Sequence, residues 1–399
     1  MSPCKCSDPY ALLTLLYGAD EGRTAGETLR RMLPASSAPA AGGLTEASLA
    51  LSAPPQSGLK ENELLIHDVD LLSSPPGQPA PDYHSSEHLL AVTKSLLEDV
   101  QRGARLIRLK NISRAWGDPP HQPQNVLILG FLRAALLLAN PNALAVAELE
   151  APLAVRAPYF GNGENAAHLI ETGELPWLLL DAFARGKSGS LQAWVNALRL
   201  PITAISYLHR LTWPNAASAS LAAEVLSAEQ ITPLQTVLNL SDEQAPSFLT
   251  ALTATGEALS PQLARRRALA THAALLSLTG LPALDSDPDD LPGLAAMLRA
   301  RAASPAFSPW GAQVGLPCGD DCLGLMRIAP DGAMALCLTN LSVEPQTAAL
   351  DAAALGFSGE WQDLLSGEVL ALDGEEWRRL AGYQSHWWVA MPLQYRKGI

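Results

Sequence analysis

The chain has few charged residues and no basic patch. Only 17% of its 399 residues are charged, and 27 lysines and arginines face 40 aspartates and glutamates, for a formal net charge of −13. The densest basic cluster, Arg265 to Arg267, fits within one helical turn and is typical of a solvated helix face. Because an acidic surface repels phosphate backbones, we expect no nucleic acid partner.

Long hydrophobic runs are also absent from the sequence. The most apolar stretch, Asn125 to Asn140, contains Arg133 and is shorter than the ~20 residues that a membrane-spanning helix requires. Acidic residues from Asp8 to Glu27 interrupt the start of the chain, which does not fit a secretory signal. We therefore expect a cytoplasmic protein that does not bind a membrane.

Cysteine is scarce, and its count of five is odd, which argues against a closed disulfide framework. Cys4 and Cys6 form a C-x-C pair, Cys318 and Cys322 form a C-x-x-x-C pair, and Cys337 stands alone. Neither spacing is the C-x-x-C of a zinc knuckle. We therefore expect reduced thiols, no metal site and no cofactor.

The chain divides into four segments. Residues 1–33 contain two short helical patterns, and residues 34–60 form a linker rich in proline, alanine and serine. In residues 61–309 helical periods alternate with short apolar runs, which is typical of βαβ units around a parallel sheet. Those runs include Ala104–Leu109, Ala143–Leu149 and Ile202–Leu208. Residues 310–399 hold short β-type runs separated by turn pairs, which predicts a small antiparallel β-sandwich.

Short motifs along the last two segments share a pattern with one enzyme family. The clearest is Tyr159–Gly163, followed by Glu164, Ala167–Leu169, Leu175–Pro176 and Leu178–Leu180. Further motifs are His67–Leu71, Arg102–Leu109, Trp116, Ser304–Pro309 and Leu338–Ser342. Together they resemble the sucrose phosphorylase branch of glycoside hydrolase family 13, in the α-amylase superfamily.

The resemblance implies an α/β fold, with a partial or reduced (β/α) TIM-type barrel in residues 61–309 and the β-sandwich after it. The first three βα units of a full barrel belong before His67, where the sequence has only the linker. A barrel that lacks strands exposes sheet edges, which natural proteins cover. We therefore expect covered edges within the chain, or a partner that is a second copy or a full-length paralogue.

Five residues fall at positions to which the resemblance assigns a role. Retaining glycosyl transfer uses a carboxylate nucleophile and a carboxylic acid about 5 Å apart. The nucleophile position, two residues after a retained Arg108, holds Lys110, and the acid/base position holds Glu148. Arg210 replaces the third, stabilising carboxylate, after a retained His209. Arg108 and His209 are the implied substrate-binding residues.

The replaced carboxylates predict that glycosyl transfer is lost or strongly reduced, because a protonated amine cannot form the glycosyl ester. The expected ligand is a small sugar or, given the cations, a sugar phosphate. One alternative is an active retaining glycosidase or glycoside phosphorylase on a small α-glucoside, with a relocated nucleophile such as Glu150 or Glu164. Another is a non-catalytic regulatory or scaffold subunit.

The same substitutions lead to a prediction about the remaining acid. If Lys110, Arg108 and Arg210 converge on Glu148, opposite charges within about 4–6 Å favour the ionised carboxylate. The pKa of Glu148 is then expected to fall below its reference of about 4.3. A general acid requires a raised pKa, so Glu148 is predicted to be unable to protonate a leaving group.

Overall fold

The structure is a computed structural model, which describes residues 8–33, 66–73, 80–117, 123–200, 205–213, 218–238, 246–256, 258–284, 290–351, 359–372 and 375–390. The predicted linker at residues 34–60, with Cys4 and Cys6, lies outside the described residues. Cys318, Cys322 and Cys337 are buried free thiols. In the part of the chain that the structure describes, no helix has the length and apolarity needed to cross a membrane.

Six short strands form the sheet of the α/β part. They pair in sequence order, and the pairs from β1 to β5 are parallel. The strands are β1 (Ile66–Asp70), β2 (Leu106–Lys110), β3 (Leu144–Ala147), β4 (Leu169–Glu171), β5 (Ser206–Arg210) and β6 (Leu281–Ala283). The parallel order follows from the helices and loops that separate successive strands, since parallel neighbours require a crossover connection.

This sheet and its helices confirm the predicted partial barrel. His67 lies within β1. Residues 34–65 lie outside the described residues, so the expectation of three missing βα units before His67 stays a prediction.

The helices of the α/β part begin and end at conventional signals. Helix Pro261–Ser277 begins after Ser260, whose hydroxyl accepts the N–H of Leu263 at 3.3 Å. Helix Leu175–Arg185 ends at Gly186, whose φ of 65° is favourable for glycine. The other helices are Pro9–Tyr17, Ala19–Met32, Ser86–Gln101, Pro123–Ala139, Ala157–Phe160, Gly189–Ala197, Ser218–Ala222, Ala228–Leu238, Phe248–Ala254 and Leu294–Ala303.

The first two helices form a hairpin, which we call the N-terminal hairpin (Pro9–Tyr17 and Ala19–Met32). Its close approach depends on Gly22, where an added Cβ would lie 2.6 Å from the Cα of Thr14. The first helix packs against helix Pro123–Ala139, and the second packs against helix Ser86–Gln101. The hairpin therefore covers a helix that is apolar on nearly every side.

The C-terminal part is the predicted antiparallel β-sandwich. One sheet has six strands in the order β12-β11-β14-β9-β8-β7, and the other pairs β10 with β13. The strands are β7 (Ala312–Leu316), β8 (Cys322–Ile328), β9 (Met334–Asn340), β10 (Gln346–Asp351), β11 (Gly359–Asp363), β12 (Val369–Leu372), β13 (Glu375–Leu380) and β14 (Ser385–Ala390). Side chains of both sheets share one core, in which Ala348 and Leu380 meet Leu336, Trp361 and Trp388.

The contacts divide the chain into two compact units. The first comprises residues 1–172 and 200–208, and the second comprises residues 173–199 and 209–399. Most of β5 belongs to the first unit, and its last residues, His209 and Arg210, belong to the second. The four-segment division from the sequence, with a boundary near Trp310, stays a prediction.

The N-terminal hairpin is expected to contribute to stability through its buried leucines. Leu13 is 0% exposed and Leu15, on the same helix, is 54% exposed. Leu13→Ala should lower the free energy of unfolding by about 2–4 kcal/mol, because it removes buried apolar contacts and leaves a cavity. Leu15→Ala is the matched control and should change it by no more than about 0.5 kcal/mol. Urea unfolding measures both, and equal effects would contradict the packing described.

Candidate active site

Parallel pairing places polar side chains of β1, β2 and β3 on one face of the sheet. Asp68 on β1 is opposite Arg108 on β2, and Arg108 is opposite Val146 on β3. Side chains alternate between the two faces of a strand, so residues two positions further along share the face of these three. Those residues are Asp70, Lys110 and Glu148.

The fourth strand adds another carboxylate to the same face. Val146 is opposite Leu169 on β4, and Glu171 follows Leu169 by two positions. Glu148 and Glu171 thus occupy equivalent places at the carboxyl ends of neighbouring strands. We call the set of Asp68, Arg108, Lys110, Glu148 and Glu171 the inner-face cluster. The carboxyl ends of parallel barrel strands are where active sites of such folds are built.

Arg108 is the centre of the inner-face cluster and contacts three carboxylates. Its Nε and Nη2 donate to Glu171, the latter at 3.0 Å from Oε1, and its Nη1 donates to Asp68 Oδ2 at 2.9 Å. Glu148 Oε2 lies 2.7 Å from Nη2. Burial opposes the charge on Arg108, yet the three carboxylates raise the pKa of its guanidinium above the ordinary value. Arg108 therefore stays charged, and all three of its guanidinium nitrogens already contact carboxylates of the same chain.

Glu148 is the least well-paired carboxyl of the cluster. It is 4% exposed, and neither of its oxygens has a hydrogen bond of good geometry among the described residues, although Arg108 is in ion-pair contact. Burial raises the pKa of Glu148 to about 7, and Arg108 opposes that shift. The charge of Glu171 raises the pKa further, Lys110 lowers it, and Asp68 raises it. Glu148 can therefore hold a proton near neutral pH.

Our prediction that cations lower the pKa of Glu148 was wrong. Arg108 and Lys110 do act on Glu148, but burial and two further carboxylates outweigh them. Glu171 was not among the residues predicted from the sequence, and Asp68 had no predicted role. A signal for Glu171 was present, because Ala145-Val146-Ala147-Glu148 and Leu169-Ile170-Glu171 each place a glutamate directly after a short apolar run.

The two carboxylates that we considered as relocated nucleophiles are Glu150 and Glu164. Glu150 Oε2 lies 3.7 Å from Arg114 Nη1. Glu164 is exposed in the loop before β4, where its backbone N–H donates to Asn162 Oδ1 at 2.9 Å. Their proposed role as nucleophiles stays a prediction.

His209 belongs to the second unit and is fully buried there. Its Nε2 lies 2.5 Å from the carbonyl oxygen of Thr279, and its ring meets Trp194 edge-on at 6.1 Å between centroids. Burial lowers the pKa of His209 to about 4, so the imidazole is neutral at physiological pH. The half-buried Arg210 follows it. The predicted convergence of Arg210 with Glu148, and the substrate-binding role of His209, stay predictions.

The Thr279 carbonyl is one of several at the C-terminal end of helix Pro261–Ser277 that accept from buried or half-buried side chains. Arg301 donates to the carbonyls of Leu276 and Gly280, both at 2.9 Å. Arg327 donates to the carbonyl of Ser277 at 3.2 Å. Cations at a helix C-terminus satisfy carbonyls that lack helical partners and oppose the helix dipole. These contacts, together with His209, hold the residues that lead into β6.

The raised pKa of Glu148 predicts a pH-dependent stability. The native state keeps this proton up to about pH 7, whereas the unfolded chain loses it near 4.5, so its contribution is complete below pH 4.5 and is lost as the pH rises through 7. As the pH rises from 4.5 to 8, wild type should lose stability that Glu148→Gln keeps. The difference in unfolding free energy between the variant and wild type should therefore shift in favour of the variant by roughly 2–3 kcal/mol. Urea titrations at pH 4.5 and pH 8 measure this shift, and the exposed Glu87→Gln is the control, which should show no shift. A difference between Glu148→Gln and wild type that is the same at both pH values would contradict the assignment.

Sequence comparisons identify glycoside phosphorylases as relatives. No protein-family model matches the chain. It is 31% identical over 163 residues to glucosylglycerate phosphorylase of Allomeiothermus silvanus, covering 40% of this chain and 29% of that protein. It is 26% identical over 375 residues to the Spirochaeta thermophila enzyme of the same name, covering 77% of this chain and 63% of the relative. The chain thus spans less than two thirds of the length of these curated relatives.

Solved structures share the fold at low sequence identity. An α-amylase from H. orenii has a TM-score of 0.54 at 12% identity, covering 79% of this chain and 67% of the amylase. An α-glucosyl transfer enzyme, XgtA, also has a TM-score of 0.54 at 17% identity, covering 85% of this chain and 76% of that chain. These matches show the α-amylase-type fold, and the sequence relatives carry the specific likeness. The chain is therefore related to the sucrose phosphorylase-like branch of glycoside hydrolase family 13.

Proposed function

We propose that this chain is a carbohydrate-metabolism protein of the α-amylase superfamily in which glycosyl transfer to phosphate is lost or strongly reduced. The observation that carries the proposal is Lys110 at the carboxyl end of β2, where the resemblance implies the nucleophile. An amine in this place cannot form the glycosyl ester through which retaining transfer proceeds. The relatives named as glucosylglycerate phosphorylases suggest a small α-glucoside as the ligand class.

The contacts of Glu171 also argue against double displacement. Glu171 is 2% exposed, and both of its oxygens accept hydrogen bonds from Arg108. A carboxylate that is bound in this two-point manner is held in place and is a weak nucleophile. Glu171 is therefore not a replacement for the missing nucleophile.

The state of Arg108 argues against phosphate as the acceptor. Phosphate sites use arginines whose N–H groups are open to the ligand. Arg108 is 4% exposed and contacts Asp68, Glu148 and Glu171. An anion that approached this guanidinium would have to displace a carboxylate. We therefore favour a neutral sugar over the sugar phosphate that the cations in the sequence suggested.

A non-catalytic regulatory or scaffold role is a second candidate, supported by the sheet order. Within the described residues β1 and β6 are the outer strands of an open row. Unpaired strand edges are sites of association, and a second copy or a full-length paralogue would cover them. Light scattering of the purified chain tests this candidate, because a monomer at high concentration would argue against it.

Phosphorolysis tests the main proposal directly. With phosphate and glucosylglycerate or sucrose, the wild type should release glucose 1-phosphate at least about 1,000-fold more slowly than an active glucosylglycerate phosphorylase, because nucleophile loss typically costs this much or more. Glu148→Gln should not change that residual rate by more than about twofold, since the acid acts in the same step as the nucleophile, and without a nucleophile that step does not take place. A wild-type rate within tenfold of the relative, abolished by Glu148→Gln, would refute the proposal.

A further inference from the structure

A cavity of about 410 Å³ lies within the second unit, between two helices and one end of the β-sandwich. Helix Pro261–Ser277 and helix Leu294–Ala303 form one wall, and the turns after β11 and β13 form the other. None of the described residues that line it belongs to the inner-face cluster. Its size and its largely apolar lining are typical of small-molecule sites. The large apolar side chains that line it are those of Leu269, Met297, Leu364 and Leu365.

The sandwich wall of the cavity is held in place by the buried carboxylate of Asp363. Its Oδ1 accepts the backbone N–H groups of Leu365 at 3.2 Å and of Trp387 at 2.8 Å. Its Oδ2 accepts from the Ser366 hydroxyl at 2.6 Å and lies 2.7 Å from His386 Nδ1. Asp363 is 0% exposed, so water does not compete for these hydrogen bonds. The turn after β11 is therefore tied to β14, and this wall is formed before a ligand binds.

Tyr383, in the turn after β13, lines the same wall in an unusual backbone conformation. Its φ is 55°, and a bulky residue rarely adopts this left-handed region. The conformation is fixed, because the Tyr383 N–H donates to the carbonyl of Ser342 at 3.0 Å. The preceding Gly382 packs so closely on Val343 that an added Cβ would overlap the Val343 carbonyl oxygen. Residues held in such conformations cluster at functional sites and ligand clamps.

Arg266 is the one charged residue among the described residues that line the cavity, and it is exposed. Within the described ranges, no residue forms a hydrogen bond or an ion pair with it. Its two neighbours are engaged: Arg265 donates to the Pro292 carbonyl and the buried Arg267 donates to the Thr255 carbonyl, both at 2.7 Å. The solvated helix face predicted for this basic cluster is thus wrong for Arg267. Arg266 is left as a cation that no described anion neutralises.

The charge and the apolar lining of the cavity together select its ligand. Its described lining has one cation and no carboxylate, in a chain with 40 acidic and 27 basic residues. A guanidinium binds a carboxylate through two parallel hydrogen bonds. Gln384 adds a donor, because its Oε1 accepts the Ala381 N–H at 2.8 Å and its NH₂ group is left over. A neutral sugar would leave the cation unpaired and would place hydroxyl groups against apolar side chains, which costs free energy.

We propose that this cavity binds a small amphipathic monocarboxylate, a straight-chain fatty acid of medium length. Its carboxylate pairs with Arg266, and its hydrocarbon chain lies against the apolar side chains of both walls. No bond forms or breaks at this site. Because the ligand contacts the helices and the β-sandwich at once, binding stabilises the second unit. The inference does not rest on the proposed function, since it uses neither the inner-face cluster nor a glucoside.

Calorimetric titration of the full-length chain with octanoate tests the proposal, and octanol is the neutral comparison. Wild type should bind one octanoate with a Kd on the order of 0.1 mM. Octanol should bind at least about tenfold more weakly, because it cannot form the charged pair. Arg266→Gln should weaken octanoate binding at least about tenfold and leave octanol binding within about twofold. Arg299→Gln, an exposed arginine that is not among the lining residues, is the charge-matched control and should bind octanoate as wild type does.

A blocking variant and melting curves provide independent readouts. Ala296→Trp, at an exposed alanine that lines the cavity, should abolish binding of both octanoate and octanol. Octanoate should raise the melting temperature of wild type and of Arg299→Gln, but not that of Ala296→Trp. The inference is overturned by any of three results: no saturable octanoate binding by wild type, equal affinities for octanoate and octanol, or equal losses in Arg266→Gln and Arg299→Gln.

One further variant tests an internal occupant of the site. Asp285, Asp287 and Asp289 lie outside the described residues. Replacing all three by asparagine should leave the octanoate affinity within about threefold of wild type. Binding that appears only in this variant would show that the chain's own aspartates occupy Arg266, and the inference would fail. Glucose 1-phosphate release is measured separately, so either proposal can fail without the other.

Discussion

The contact of one arginine with three carboxylates is the interaction on which the candidate site depends. Arg108 holds Asp68, Glu148 and Glu171 at the carboxyl ends of adjacent strands. Without this cation, two buried glutamates would face each other with only Lys110 of the cluster to offset their charge, which is a severe cost in a low-dielectric interior. The contacts of the guanidinium with the two glutamates are unequal. Glu171 accepts two hydrogen bonds from it, whereas Glu148 is in ion-pair contact without a hydrogen bond of good geometry. That inequality gives two similar side chains different chemistry.

The sequence predicted much of the fold because strands and helices are set by local patterns. The apolar runs before Lys110 and Glu148 became β2 and β3, and the C-terminal runs became the β-sandwich. The strand Leu169–Glu171 is three residues long and too short for periodicity to distinguish it from a loop. The pKa of Glu148 was predicted with the wrong sign, since it depends on burial and on Asp68 and Glu171, which are distant in sequence.

His209 shows why a retained residue does not by itself establish a role. The resemblance implied a substrate ligand, while the imidazole lies buried at the carbonyl of Thr279, among groups that stabilise the end of a long helix. Arg301 is half-buried and Arg327 is fully buried, and burial lowers their pKa values to about 10 and about 9. All three side chains satisfy backbone carbonyls. A polar residue near a strand end can therefore be held by main-chain geometry as firmly as by a ligand.

The N-terminal hairpin has a consequence for how this protein can be shortened. Helix Pro123–Ala139 leads directly into β3 and Glu148, and its outer face is covered by helix Pro9–Tyr17. An expression boundary drawn at residue 61, where the βαβ pattern starts, would strip that cover and expose a long apolar surface. Such a surface favours aggregation and local unfolding of the helix that leads into Glu148. The stability of the candidate site therefore depends on the first thirty residues, although a stretch of linker sequence separates them in the chain.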